Sequence, residues 1–378
     1  MKKVWTIILL VTLTLFVSAC SGRQDENQGG NLDGEIITSS EDQVITIIDT
    51  LGREVEIPEN SERFINVGVG CLRLYTYVGP LDKLVGVERN ETEDQRGVPY
   101  SILNREYFQT LPIVGQGGPR NAADPEAIVS VSPDVIFHTD ATDVAAADEL
   151  QEKTGIPVVA LSYGDVDVFN EDVYYSLNLI GEITGEEERA SEVVGYLKGY
   201  YDDLTERASK IAEEDRPSVY VGALGNKGRQ GIESTRGDYM MTNVLNAINV
   251  VDKTGKKGSF FIDKEQLLVW DPDYIFIDTD GYDLVQEDYD KSPELYDSLT
   301  AVKEGRLHAQ LPYVLLRTNL DTAIADVYNM GKVLYPEEFS DIDPAEKADE
   351  IYVELLGQTF YKQMANDYKP FGAISLDN

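Results

Sequence analysis

The sequence predicts an α/β protein of two Rossmann-like lobes with mainly parallel sheets, joined by a single long α-helix. Three observations carry this. Residues 186–212 place apolar or small side chains at Ala190, Val193, Val194, Leu197, Tyr201, Leu204, Ala208 and Ile211. Those steps of three and four mark one helix face, and no proline intervenes before Pro217. At about 1.5 Å per residue such a helix is roughly 40 Å long. Next, a segment ahead of this helix recurs behind it: EAIVSVSPDVIF at 126–137 and EQLLVWDPDYIF at 265–276. Each reads as a glutamate, an apolar helical run, Pro-Asp and a strand. Finally, each copy follows a strand that runs into a glycine turn, NVGVG at 66–70 and YVGALG at 220–225. Similarity at long period on both sides of one helix implies two equivalent halves.

The elements follow in order. Lys2 and Lys3, an apolar run from Val4 to Val17, and Val17-Ser18-Ala19-Cys20 form an export signal over residues 1–19. The run is short for a membrane span, and the small residue before Cys20 fits a lipoprotein cleavage pattern. Cys20 is then the lipidated first residue of the mature chain. Residues 20–43 are polar and glycine-containing, a flexible tether. The N-terminal lobe, residues 44–185, opens with a hairpin over 44–58 that turns at 50–52. Strands follow at 64–68 and 84–87, then a polar loop with local helix over 88–108. The helix led by Glu126 comes next, with strands at 134–138 and 157–161.

The inter-lobe helix spans 186–212. Thr184 and Glu187 form a capping-box pattern at its start, and Glu186 to Glu188 favour its positive end. The C-terminal lobe, residues 213–366, begins with a strand from Ser218 and a helix near 239–249. The helix led by Glu265 and strands at 273–278 and 306–312 follow. Helices at 320–334 and 344–364 close the lobe, the second started by Asp343-Pro344. Residues 367–378 are a tail. Asp124 and Asp263 each stand two residues before a glutamate, as N-caps that put Glu126 and Glu265 in a first turn.

Composition excludes several functions. The formal net charge is −36, and loss of Lys2 and Lys3 makes the mature chain more negative still. Nucleic acid is therefore excluded as a partner, since phosphate binding needs a basic surface. With Cys20 lipidated, Cys71 has no thiol to pair with. His138 and His308 are too few for a histidine-built transition-metal site. No HExxH, GxSxG, CxxC or Walker spacing is present, so we expect no enzyme, no catalytic residue, no resident cofactor and no metal site. His308 and Cys71 read as structural, whereas His138 ends a strand at the expected cleft.

Open parallel sheets bind ligands beyond the carboxyl ends of their strands. The loops there are residues 68–75, 115–121, 163–165, 225–239, 278–282 and 311–317. They hold Arg73, Arg120, Arg229, Arg236 and Arg317 in a chain short of positive charge. Guanidinium forks suit carboxylate, phosphate and other oxyanions. Tyr75, Tyr163, Tyr239, Tyr282 and Tyr313 add flat walls with a polar tip. The expected ligand set is Arg73, Tyr75, Arg120, Tyr163, Arg229, Arg236, Tyr239, Tyr313 and Arg317. The other use for these arginines is pairing with carboxylates close in sequence, such as Asp238 and Asp321.

The chain resembles the substrate-binding lipoproteins of ABC importers for ferric siderophores, cobalamin and haem, the periplasmic-binding-protein class with one long inter-lobe helix. The resemblance runs over about residues 44–335. It rests on DTLGREVEIP at 49–58, RFINVGVG at 63–70 with LDKLVGV at 81–87, and VGQGGPRNAADPEAIVSVSPDVIF at 114–137. GIPVV at 155–159, LIGEITGEEERA at 179–190, IDKEQLLVWDPDYIF at 262–276 and AVKEGRLHAQLP at 301–312 continue it. The order of these motifs is specific to the family and not to a ligand. The resemblance implies a monomeric, lipid-anchored receptor on the extracytoplasmic face of the membrane. It would capture a ferric siderophore complex between its lobes and deliver it to an ABC permease driven by an ATPase. The permease-docking glutamates of the family match Glu126 and Glu265. Relatives that bind bare zinc or manganese use several histidines, which this chain lacks. Alternatives are cobalamin or haem, an oxyanion such as molybdate, or, in another class, an exported lipoprotein enzyme acting on an anionic substrate.

Overall fold

The computed structural model describes residues 43–119, 121–164, 168–225 and 228–377. The export signal, the tether, Cys20 and Arg120 lie outside these residues. The first lobe opens with β1 (Val44–Ile48) and β2 (Glu54–Pro58), an antiparallel hairpin. Its turn is organised by Asp49, whose carboxylate accepts from the Leu51 and Arg53 amides at 3.0 Å each. A three-stranded parallel sheet follows, ordered β3 (Phe64–Val67), β4 (Val135–His138), β5 (Val158–Ala160). Around it lie α1 (Cys71–Val78), α2 (Pro99–Phe108), α3 (Pro125–Ser130), α4 (Val144–Thr154) and α5 (Glu171–Thr184).

Two expectations in this lobe change. Residues 84–87 do not make a strand. Leu84 bridges Phe64 and Val87 bridges Ile113, so the segment passes from one partner to another at Gly86. The capping box at Thr184 does not form either. The Thr184 hydroxyl donates to the Ile180 carbonyl at 2.7 Å, and Gly185 ends α5 in the left-handed region at φ 77°.

The inter-lobe helix α6 is Glu187–Ala208, capped by Glu186 through backbone alone. It stops four residues before the expected end, and its 22 residues correspond to roughly 33 Å. Its buried face carries Ala190, Val193, Val194, Leu197, Tyr200, Leu204 and Ala208. Tyr200 takes the inward position expected of Tyr201, which is exposed; three- and four-residue steps from Leu197 both satisfy the helical period.

The second lobe runs β6 (Ser218–Gly222), β7 (Ser234–Gly237), α7 (Met240–Val244), β8 (Ile248–Asn249), β9 (Gly258–Phe261) and α8 (Lys264–Trp270). Then come β10 (Tyr274–Asp278), α9 (Tyr282–Lys291), α10 (Pro293–Tyr296), α11 (Thr300–Lys303) and β11 (Leu307–Gln310). The chain closes with α12 (Leu320–Leu334), α13 (Pro344–Leu356), α14 (Tyr361–Asp367) and β12 (Gly372–Ala373). Its main sheet is ordered β12-β11-β10-β6-β8, parallel except for β12 at the edge. The tail therefore contributes an edge strand. The helix expected over 344–364 is two helices, because Gly357 at φ 78° turns the chain after α13. The helix expected over 239–249 is the short α7, ended near Asn246 at φ 54°.

The repeated segment is repeated structure. Ile128 and Leu267 are buried at matching positions, and Glu126 and Glu265 are exposed. Ser132 and Asp271 both take positive φ, 48° and 39°. Each Pro-Asp carboxylate then ties down the chain entering the neighbouring strand. Asp134 accepts from the Arg63 amide at 3.0 Å, and Asp273 from the Ser218 amide at 2.8 Å. This local logic, copied in both halves, explains why the two lobes are alike.

Candidate functional site: the seam between the lobes

Strands β3, β4 and β5 end in loops that hold Gly68–Gly70, Asp140 and Tyr163, and β6, β10 and β11 end in loops that hold Leu224, Asp280 and residues 311–317. The two sets of loops meet. Arg73, on α1, donates through Nη2 to the Leu315 carbonyl at 2.8 Å. Its Nη1 donates to the carbonyls of Leu316 at 3.0 Å and Thr318 at 3.2 Å. Tyr77 donates to Asp321 at 2.7 Å, and the Asn319 amide donates to the Gly97 carbonyl at 3.1 Å. Arg317 faces Asp140 across the seam at 3.8 Å.

The arginines expected in the cleft have different fates. Arg73 is fully buried, its fork committed to three carbonyls of the opposite lobe and its plane over the Tyr100 ring at 5.2 Å. It therefore acts as a brace between lobes. Arg229 donates to the Asp280 carbonyl at 2.6 Å and pairs with Asp283 at 3.0 Å, so acidic neighbours occupy it. Arg236 sits half-buried on β7, 3.4 Å from the Ser259 hydroxyl. Arg317 keeps 44% of its side chain exposed at the seam. Arg120 lies outside the described residues.

Among the tyrosines, Tyr75 is in the hydrophobic core, its hydroxyl donating to the Pro80 carbonyl at 2.8 Å. That burial removes it from ligand reach, because helical spacing turns residue 75 of α1 inward. Tyr239 is likewise buried, its hydroxyl accepting from Gln310 at 3.0 Å. Tyr313 packs beside it, ring centres 6.5 Å apart. Tyr163 stands at the seam, donating to the Gly70 carbonyl at 2.8 Å; burial pushes its phenol up to about 12, against the lowering pull of Arg73. Tyr282 lies under the Lys369 ammonium, 3.9 Å from the ring centre.

Carboxylates missed by the sequence reading line the same seam. Asp140 accepts from the Val69 amide at 3.0 Å. Glu88 accepts from the Gly68 amide at 3.2 Å, and burial, with Glu91 adding repulsion, pushes it up to about 7. Asp278 is pushed up to about 7 by burial. Asp140 follows β4 by two residues, so the strand-end rule that selected the arginine loops would have found it. Arg96 lies over the Tyr368 ring at 4.5 Å, in a loop that sequence alone does not bring to the second lobe. His138 is held neutral by burial, and burial lowers His308 to about 4. Cys71 is buried with its thiol pushed well up, chiefly by burial. Among the described residues no three His, Cys, Asp or Glu side chains converge as metal ligands, and no helix is long and apolar enough to cross a membrane.

Two α/β lobes on one connecting helix bring polar groups of both to facing strand ends, where sheets of this kind carry their ligand sites. The family model for periplasmic binding proteins matches residues 75–309. Among relatives, an uncharacterized ABC transporter substrate-binding lipoprotein of Bacillus subtilis, YvrC, is 24% identical over 345 residues, covering 90% of this chain and all of that one. The molybdate-binding protein MolA of Haemophilus influenzae is 25% identical over 357 residues, covering 88% of this chain and 93% of its own. A crystal structure of MolA bound to molybdate superposes with a TM-score of 0.65 at 21% identity, covering 83% of this chain and 98% of that one. A periplasmic solute binding protein from Veillonella parvula gives 0.66 at 20%, covering 86% and 96%. These structural likenesses establish the two-lobe fold. The chain belongs to the periplasmic binding protein family, and its role is that of an extracytoplasmic substrate-binding component of an ABC transporter.

Proposed function

We propose that the chain is a lipid-anchored receptor for a ferric siderophore-type iron chelate, which it delivers to an ABC permease. The observation that carries this is the charge of the seam. Arg317, with 44% of its side chain exposed, faces the Asp140 carboxylate at 3.8 Å across the seam. A site so balanced suits a large chelate that brings its own metal ligands and presents an anionic edge to one guanidinium. Arg317, Tyr163, Arg236 and Arg120 are the proposed contacts, with Arg229 available if its acidic partners yield.

A second reading, an oxyanion such as molybdate, is favoured by the 25% identity to MolA over 93% of its length. Native mass spectrometry of protein purified from its own cells separates the two. A retained ferric chelate supports the proposal, and a retained tetraoxyanion supports the second reading.

Docking falls to Glu126 and Glu265. Each is exposed in a first helical turn behind an Asp N-cap, and neither has a side-chain partner among the described residues. Val129 and Leu268, three residues on, are both exposed, so each lobe offers a carboxylate beside an aliphatic group on one helix face. A permease presenting cations flanked by apolar side chains would engage both lobes. Anchoring through Cys20 rests on the Val17-Ser18-Ala19-Cys20 pattern and is supported by a relative described as a lipoprotein.

A further inference from the structure

Asp140 stands between the two lobes. Its Oδ2 accepts from the Val69 amide at 3.0 Å, and its Oδ1 stands 3.8 Å from Nη2 of Arg317. One carboxylate thus engages an amide of the first lobe and a guanidinium of the second. The glycine turn is shaped around it: a Cβ on Gly68 would meet Asp140 Cγ at 3.0 Å. The preceding amide, of Gly68, is covered by Glu88. Arg317 is held against this carboxylate by unusual backbone, with Leu316 at φ 51° and Arg317 at φ 76°. Bulky residues rarely adopt the left-handed region, and such strain persists where surrounding structure enforces it. Both side chains stay reachable from solvent, 44% exposed for Arg317 and 34% for Asp140.

We propose that Asp140 is a built-in competitor for the anion position of the seam and sets its selectivity. This rests on the reading of the seam as the ligand site. A ligand oxygen reaches the Val69 amide and Arg317 only by displacing the Asp140 carboxylate, which then remains nearby and repels it. A tetraoxyanion has few other contacts to offset that loss, whereas a large chelate has many. Specificity of this kind comes from a repulsive element placed against the wrong ligand. Free phosphate, sulfate and molybdate are thereby disfavoured, and a chelate with an anionic edge and a broad apolar or polar body is admitted.

The test uses Asp140→Asn and Asp140→Ala in the protein as it exists, each checked for unchanged thermal unfolding. An exposed ion pair contributes little stability, and the alanine variant covers the case in which an asparagine amide reorganises the turn. Molybdate and a ferric trihydroxamate are titrated by calorimetry at fixed ionic strength. The expected result is at least a tenfold gain in molybdate affinity in both variants, lost again when Arg317→Gln is added. No gain in either variant, or a gain that survives loss of Arg317, overturns the proposal. The chelate arm separates the two claims. Chelate binding by the wild type with no molybdate gain in the variants refutes the competitor and keeps the receptor reading. A molybdate gain with no chelate binding by any form keeps the competitor and refutes the chelate.

Discussion

Arg73 in the first lobe donates to the Leu316 carbonyl in the second at 3.0 Å, and the same guanidinium reaches Leu315 and Thr318. These residues are more than 240 positions apart in sequence, and the bonds tie α1 to the loop that presents Arg317. A continuous helix between lobes bends less readily than loop hinges, and this brace adds to that restraint.

The brace predicts a stability effect. Arg73→Ala leaves three carbonyls without their donor in a buried seam, and a hydrogen bond to a charged group contributes about 1.5–3 kcal/mol. We expect a loss of about 2–4 kcal/mol in urea unfolding, with Arg73→Lys recovering only part because an ammonium lacks the planar fork. A loss below about 0.5 kcal/mol, the level of an ordinary surface change, would remove Arg73 from this role.

Glu88 predicts a pH dependence. Burial raises its folded pKa to about 7, so between the ordinary carboxylate range and pH 7 the folded state binds more protons than the unfolded state. Stability from this group is present at low pH and lost as pH rises through about 7. Glu88→Gln removes the ionisation. Its stability relative to wild type should rise from pH 5 to pH 8 by up to about 3 kcal/mol, read from chemical denaturation across the range. A relative stability that stays flat or falls with pH would show that Glu88 ionises freely in the fold.

What the sequence made legible, and what it hid, follows one physical line. Glu126 and Glu265 are positioned by their own neighbours, an aspartate at the N-cap position before and a Pro-Asp turn after, and local order is written locally. Only Asp124 caps through its side chain, accepting from the Ala127 amide, and Asp263 does not. The inter-lobe helix is likewise a matter of period, although Tyr200 and Tyr201 compete for one inward place and only packing decides. Arginine heads are different. Whether Arg73 faces a ligand or a carbonyl depends on backbone from the other lobe, and Arg229 depends on Asp283 in a later helix. Asp140 was readable as a strand-end residue but carries the wrong charge for a search aimed at cations. The capping box at Thr184 failed because Gly185 ends one helix before the next begins.

Docking predicts a loss that is more than additive. Glu126→Ala with Glu265→Ala should leave folding and chelate affinity unchanged and abolish uptake or ATPase stimulation in reconstituted membranes, because two weak contacts act at once. Each glutamate alone complements a helix dipole by about 0.3–1 kcal/mol, so the folding cost is small. Full transport by a well-folded double variant would return both residues to helix stabilisation.

The most direct measurement is a calorimetric titration of residues 44–378 with a panel of ferric hydroxamate, catecholate and citrate complexes beside haem, cobalamin and molybdate. The wild type should bind at least one ferric chelate with one-to-one stoichiometry. Arg317→Ala, which removes one charge-assisted contact, should weaken that binding by roughly ten- to a hundredfold. Binding of molybdate, haem or cobalamin with no response to any ferric chelate would contradict the account.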